Sequence, residues 1–122
     1  MRVASYVRVS TMQQVHSQTI EQQIDRIQQH VQEKGWDWCS EHIFRDDGFS
    51  GATLKRPGLD QLRDKVALAC YDVILVTAPD RLARKYVHQM VLLDEFSKSG
   101  CVVEFLDRPL SDDPNDQLLL QI

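Results

Sequence analysis

The sequence predicts an α/β domain, three layers deep, with helices on both faces of a mostly parallel central sheet. Three observations predict it. Short apolar runs alternate with amphipathic stretches in the order β-α-β-α-β-α-β, followed by the start of a further helix. The run Val73-Ile74-Leu75-Val76 is continuously apolar and bounded by turn residues, as a strand covered on both faces requires. The 122 residues are enough for one domain with one core, and 43% hydrophobic with 26% charged residues is the composition of a globular chain.

Each element has its own signal. Residues 1–6 read as a short strand carrying Val3, Ala4 and Tyr6. Residues 11–17 are polar and aperiodic, a loop. Thr19 followed by Gln22 forms a capping box, Ile20, Ile24, Ile27 and Val31 recur at helical spacing, and Gly35 supplies the stop, so a helix spans residues 19–34 with its Gln, Glu and Asp face in water. Residues 36–44 hold the second strand, best placed at 42–45. Residues 46–55, with Gly48, Gly51, two acids and several hydroxyls, form a loop long enough to suggest function. Pro57 suits a first helical position, and Leu59, Leu62 and Val66 give that helix a buried stripe to about Cys70. A strand at 71–76 is followed by the polar stretch Pro79-Asp80-Arg81-Leu82-Ala83-Arg84-Lys85. A helix over 87–99, with Val87, Met90, Val91 and Leu93 apolar, ends at Gly100. Residues 101–106 read as another buried strand, 107–114 as a polar turn, and 116–122 as the beginning of a helix inside which the sequence stops.

Composition excludes several classes. No apolar run approaches the roughly 20 residues of a membrane span, and no signal peptide opens the chain, which points to an intracellular, cytoplasmic protein. Three widely spaced cysteines, Cys39, Cys70 and Cys101, form no C-x-x-C and read as reduced, mostly buried thiols; the four histidines, His16, His30, His42 and His88, lack metal-ligand spacing. A net charge of −4 is unlike that of a domain that holds nucleic acid by itself.

The chemistry collects at one place. In a doubly covered parallel sheet, sites lie beyond the carboxyl ends of the strands. Arg8 and Ser10 close the first strand and, at i and i+2, share a face if the extended backbone persists. The 46–56 loop follows the second strand, and Asp80, Arg81 and Arg84 follow the third. Taken alone, Tyr6-Val7-Arg8-Val9-Ser10 also fits an ordinary strand end with an exposed polar pair. Three polar segments converging on one sheet edge fit that reading less well. Ser10 offers a nucleophilic oxygen, and Arg8, Arg56, Arg81 and Arg84 could surround a phosphate with permanently charged, planar donors. On a continuous helical turn Arg81 and Arg84 would share a face. Asp80 could hold an arginine or handle a proton. Asp46-Asp47 could bind a cation, but pairing with arginine or structuring the loop suits them better. No glycine-rich nucleotide motif, two-metal carboxylate cluster, Ser-His-Asp set or G-x-S-x-G is present.

Tyr6-x-Arg8-Val9-Ser10, Asp46-Asp47-Gly48-Phe49-Ser50-Gly51, Arg56-Pro57-Gly58-Leu59 and Asp80-Arg81-Leu82-Ala83-Arg84 together resemble the catalytic domain of the serine recombinases, the resolvase/invertase family. Gln14 and Gln23 stand where that family tends to carry glutamines. The stretches 84–90 and 112–117 look most like the large serine recombinases, meaning phage integrases and transposon recombinases. The resemblance implies that residues 1–122 are an N-terminal catalytic domain of a bacterial, phage or mobile-element protein. Ser10 would attack a DNA phosphodiester, leaving a 5′-phosphoserine and a free 3′-hydroxyl, with no cofactor and no metal. Arg8, Arg56, Arg81 and Arg84 would bind the phosphate, Asp80 would orient arginines or aid proton transfer, and Tyr6, Gln14, Gln23, Asp46 and Ser50 would support the site. It also implies DNA as partner, bound mainly through a long helix and DNA-binding region beyond Ile122, and a homodimer that forms a tetramer during strand exchange. A catalytically silent dimerisation or regulatory module of the same fold, and an unrelated phosphate-binding α/β domain, are the alternatives.

Overall fold

A computed structural model describes residues 1–9 and 19–107. The chain runs β1 (Val3–Val9), α1 (Ile20–Lys34), β2 (Ile43–Asp47) after one 3-10 turn (Ser40–His42), α2 (Pro57–Ala67), β3 (Val73–Val76), α3 (Pro79–Leu82), α4 (Tyr86–Lys98) and β4 (Val102–Phe105). The four strands pair in the order β2-β1-β3-β4, all parallel, so their carboxyl ends lie at one edge. The expected loop at 11–17 and the expected turn and helix beyond residue 107 lie outside the described residues.

The alternation of β1 builds the layers. Val3, Val7 and Val9 pack with Ile20, Ile27 and Val31 of α1 on one face. Ala4 and Tyr6 join Leu59, Leu62 and Val66 of α2, Leu82 of α3 and Leu92 and Phe96 of α4 on the other. The predicted three-layer α/β architecture is therefore present. α1 begins and ends where the sequence places it: Thr19 and Gln22 bond reciprocally across the N-terminus, and Gly35 at φ 71° turns the chain out of the helix.

Four expectations are corrected. β2 continues to Asp47, so Asp46 and Asp47 belong to a strand, not a loop; Arg8 pairs with Asp46 and Val9 with Asp47 in the sheet register. α2 ends at Ala67, short of Cys70. β4 is an edge strand, not a buried one, and Val102 is 63% exposed. The sequence assigns α4 no buried face; it buries Leu92 and Phe96 and leaves Val87 and Val91 in solvent. Of the cysteines only Cys101 is buried; Cys39 is exposed and Cys70 half-buried.

Candidate active site

Three segments leave the carboxyl edge of the sheet, and two buried arginines hold them together. Arg8 lies on the same face of β1 as Tyr6 and is fully buried. Its Nε donates to the Arg81 carbonyl at 3.0 Å, Nη1 to the Phe49 carbonyl at 2.9 Å and Nη2 to the Asp80 carbonyl at 2.7 Å. One guanidinium thus joins the end of β1 to the β2–α2 loop and to α3. β3 pairs with β1 only as far as Ser5. In place of a strand partner, the buried Gln23 of α1 accepts from the Arg8 N–H at 3.3 Å and donates to the Arg8 carbonyl at 3.0 Å. Arg81, also buried, donates from Nη1 to that same carbonyl at 3.3 Å. Burial, reinforced by the charge of Arg56, holds Arg8 below the usual arginine range. It is charged at neutral pH nonetheless.

The second buried arginine stands at the start of α2. Arg56 donates from Nε to the Thr53 carbonyl at 3.0 Å, from Nη1 to the Tyr6 hydroxyl at 2.9 Å and from Nη2 to the Leu82 carbonyl at 2.6 Å. The Tyr6 hydroxyl in turn donates to Asp46 at 2.6 Å. Burial pushes the Tyr6 phenol above its usual range, against the opposing pull of Arg56, so it acts as a neutral donor. The Asp46 carboxylate also accepts the N–H groups of Gly58 at 2.7 Å and Leu59 at 2.9 Å. The sequence explains this arrangement. Pro57 has no N–H, so the first orphan donors of α2 belong to Gly58 and Leu59, and a carboxylate at a helix N-terminus also complements the macrodipole. Gly58 lets the helix start close on β2, because a Cβ there would stand 2.5 Å from the Arg45 carbonyl.

Gly51 closes the third side. A Cβ at this position would lie 2.7 Å from Arg8 Nη2 and 2.8 Å from Arg84 Cγ, so the loop seats on both arginines only through glycine. The Gly51 carbonyl accepts the Arg84 N–H at 2.9 Å. Arg81 and Arg84 do not share a helical face as expected: α3 stops at Leu82, Ala83 is extended, Arg81 turns inward and Arg84 is exposed. Among the described residues, the Arg84 guanidinium and the Asp80 carboxylate have no hydrogen-bond or ion-pair partner. Asp80 contacts Arg8 through its carbonyl. Ser50 is exposed, and its Oγ accepts the Ala52 N–H at 3.0 Å. Ser10 and Gln14 lie outside the described residues.

The structure therefore brings together Tyr6, Arg8, Gln23, Asp46, Arg56 and Arg81 in one buried network, with Arg84, Asp80 and Ser50 at its surface. Sequence reasoning missed the positions of Gly51 and Gly58 as close-contact glycines. Their presence inside short motifs beside arginine was the available signal. Among the described residues, no group of His, Cys, Asp and Glu could hold a metal ion, and no helix is long and apolar enough to cross a membrane.

Residues 3–122 match the family model described as resolvase, N-terminal domain. The chain belongs to the resolvase family. Among resolvase-family relatives, the transposon Tn3 resolvase of Escherichia coli is 38% identical over 113 residues, covering 93% of this chain and 54% of that protein. The N-terminal catalytic domain of TP901-1 integrase superimposes with a TM-score of 0.82 at 31% identity, covering 99% of this chain and 89% of that one. The C-terminal catalytic domain of ISC1926 TnpA, an IS607-like serine recombinase, gives a TM-score of 0.76 at 28% identity over 90% of this chain and 73% of that one. The chain spans about half the length of the Tn3 resolvase and 22% of a longer Bacillus subtilis (strain 168) relative.

Proposed function

We propose that this chain is the catalytic domain of a site-specific DNA recombinase in which Ser10 is the nucleophile. The observation that carries the reading is the convergence, in a resolvase-family chain, of three strand-end segments on Arg8, Arg56, Arg81 and Arg84, at the end of the strand that leads into Ser10. Ser10 Oγ attacks the phosphorus of a DNA phosphodiester. The serine loses its proton, a P–O bond forms to the enzyme, and the bond to the 3′ oxygen breaks, leaving a 5′-phosphoserine and a 3′-hydroxyl. A 3′-hydroxyl from another strand then reverses the step and frees Ser10. One phosphodiester is exchanged for another, so the cycle needs no nucleotide hydrolysis.

The four guanidiniums supply a preorganised positive field for charge developing on the phosphoryl oxygens. Arg84, exposed and without a partner among the described residues, is the group best placed to contact a phosphate. Asp80 is the surface carboxylate available to orient it or to pass a proton to the leaving oxygen. Tyr6, Gln23 and Asp46 hold the arginines, and Gln14 and Ser50 are assigned to the support of the site. DNA is the substrate, with residues 1–122 the N-terminal catalytic domain of a longer protein. Affinity comes mainly from a C-terminal region, consistent with the net charge of −4. The protein works as a dimer that pairs into a tetramer.

The test uses the full-length protein and a cognate site on suicide DNA that traps the cleaved product. Wild type forms a covalent adduct that maps to Ser10, and Ser10→Ala forms none. An adduct that persists in Ser10→Ala would remove the assignment of the nucleophile.

A further inference from the structure

We infer that Arg56 is a positioning residue that sets Arg84, and that it does not itself bind the scissile phosphate. The inference deepens the reading above and rests on it. Arg56 is only 1% exposed, and its three guanidinium nitrogens are each engaged: Nε with Thr53, Nη1 with Tyr6 and Nη2 with Leu82. Its charge is answered at one remove by Asp46 through the Tyr6 hydroxyl. The Tyr6 ring lies beneath it, with Cζ 5.8 Å from the ring centroid. A phosphate oxygen would need to come within roughly 2.7–2.9 Å of a guanidinium nitrogen, and each of these nitrogens already donates to main chain or to tyrosine in a side chain that is almost fully buried.

What Arg56 holds is the frame of Arg84. The Leu82 carbonyl it grips lies two residues before Arg84, at the point where α3 ends and Ala83 becomes extended. The Thr53 carbonyl lies two residues after Gly51, whose own carbonyl accepts the Arg84 N–H. Arg56 therefore fixes both chain segments between which the Arg84 main chain is fastened. Arg84 itself keeps an exposed guanidinium. Arg8 also bonds three carbonyls and is as deeply buried, but it stands two residues before Ser10 in the chain; the inference concerns Arg56 alone.

The experiment measures the rate of Ser10–DNA adduct formation by the full-length protein on a suicide substrate, as a double-mutant cycle. Arg84→Ala is expected to slow the reaction about a hundredfold. Arg56→Ala is expected to slow it comparably, and Arg56→Ala combined with Arg84→Ala no more than Arg84→Ala alone, because a residue that acts through Arg84 has nothing left to set once that guanidinium is gone. Arg56→Lys, measured in both backgrounds, keeps the charge but cannot reach three divergent acceptors, and is expected to behave as Arg56→Ala does. It also serves where the alanine variant fails to fold. Losses that multiply in the double variant would overturn the inference, as would recovery in Arg56→Lys or a wild-type rate in Arg84→Ala. Failure of the underlying reading shows separately, as an adduct that survives Ser10→Ala.

Discussion

The two ends of the sheet use arginine in opposite ways. At the amino edge, Arg2 is exposed and forks onto Asp72, with Nε donating at 3.3 Å and Nη2 at 3.0 Å, while Nη1 takes the Ala69 carbonyl at 2.6 Å. At the carboxyl edge, Arg8 and Arg56 make comparable bonds, but both are buried and most of their acceptors are neutral carbonyls. The geometry of the fork is alike; the surroundings differ. Water can replace every bond that Arg2 makes, so that pair is a clasp the fold can lose. No water replaces the bonds of Arg56, and an unpaired buried donor or acceptor carries its full desolvation cost. Arginine at the candidate active site is therefore part of the frame, beside the chemistry proposed for it.

The largest test of this contrast is Tyr6→Phe. The hydroxyl links a buried cation to a buried carboxylate, and its removal strands Arg56 and Asp46 on either side of a small gap. A loss of about 2–3 kcal/mol is expected in urea unfolding, from hydrogen bonds to charged groups. A loss near zero would mean that the carboxyl edge tolerates broken links as the amino edge does. Gly51→Ala comes next. Its new methyl group meets Arg8 and Arg84 below 3 Å. Arg84 is exposed and its guanidinium has no partner among the described residues, while Arg8 is pinned by three carbonyls; Arg84 therefore gives way, and the cost in stability is expected at the low end of overpacking, about 1 kcal/mol. Adduct formation should fall far more than the melting temperature does, because the displaced groups belong to the site.

Asp72→Asn gives the smallest effect and sharpens the other side of the comparison. The Arg2 guanidinium and N–H hold the Asp72 carboxyl down, from 3.8 to about 2. A depressed folded-state value contributes stability above the unfolded value and loses it as pH falls through the folded one. Wild type should therefore exceed Asp72→Asn slightly at neutral pH, and the gap should close between pH 4 and pH 2. A gap that stays constant across that window would assign it to something other than the carboxylate's charge. Salt should narrow it at neutral pH, as for any exposed pair.

Much of the fold was legible because its signals are local. Thr19, Gln22 and Gly35 delimit α1 within their own stretch of chain, and Pro57 starts α2. What was not legible depends on partners elsewhere. A β-branched run such as that around Val102 reads the same in the middle of a sheet and at its edge. α4 is apolar on more than one side, so only the packing decides that Leu92 and Phe96 face inward and Val87 and Val91 do not. Ala83 is a good helix former, and nothing local announces that the chain straightens there and separates Arg81 from Arg84. At the site, residue types and their convergence were readable from Arg8, Arg56, Arg81 and Arg84. Their division into buried and exposed groups was not, because the acceptors are carbonyls of distant segments, and a carbonyl has no letter in the sequence.

The cap of α2 has a consequence for modularity. α1 carries its start and stop signals within residues 19–35 and could be moved as a unit. α2 borrows its N-terminal acceptor from Asp46, on a neighbouring strand eleven residues before Pro57. A graft or circular permutation that separates those positions leaves two amide donors of α2 unanswered. The Asp46–Leu59 stretch is thus inherited as one block, in which strand, loop, arginine and helix start travel together.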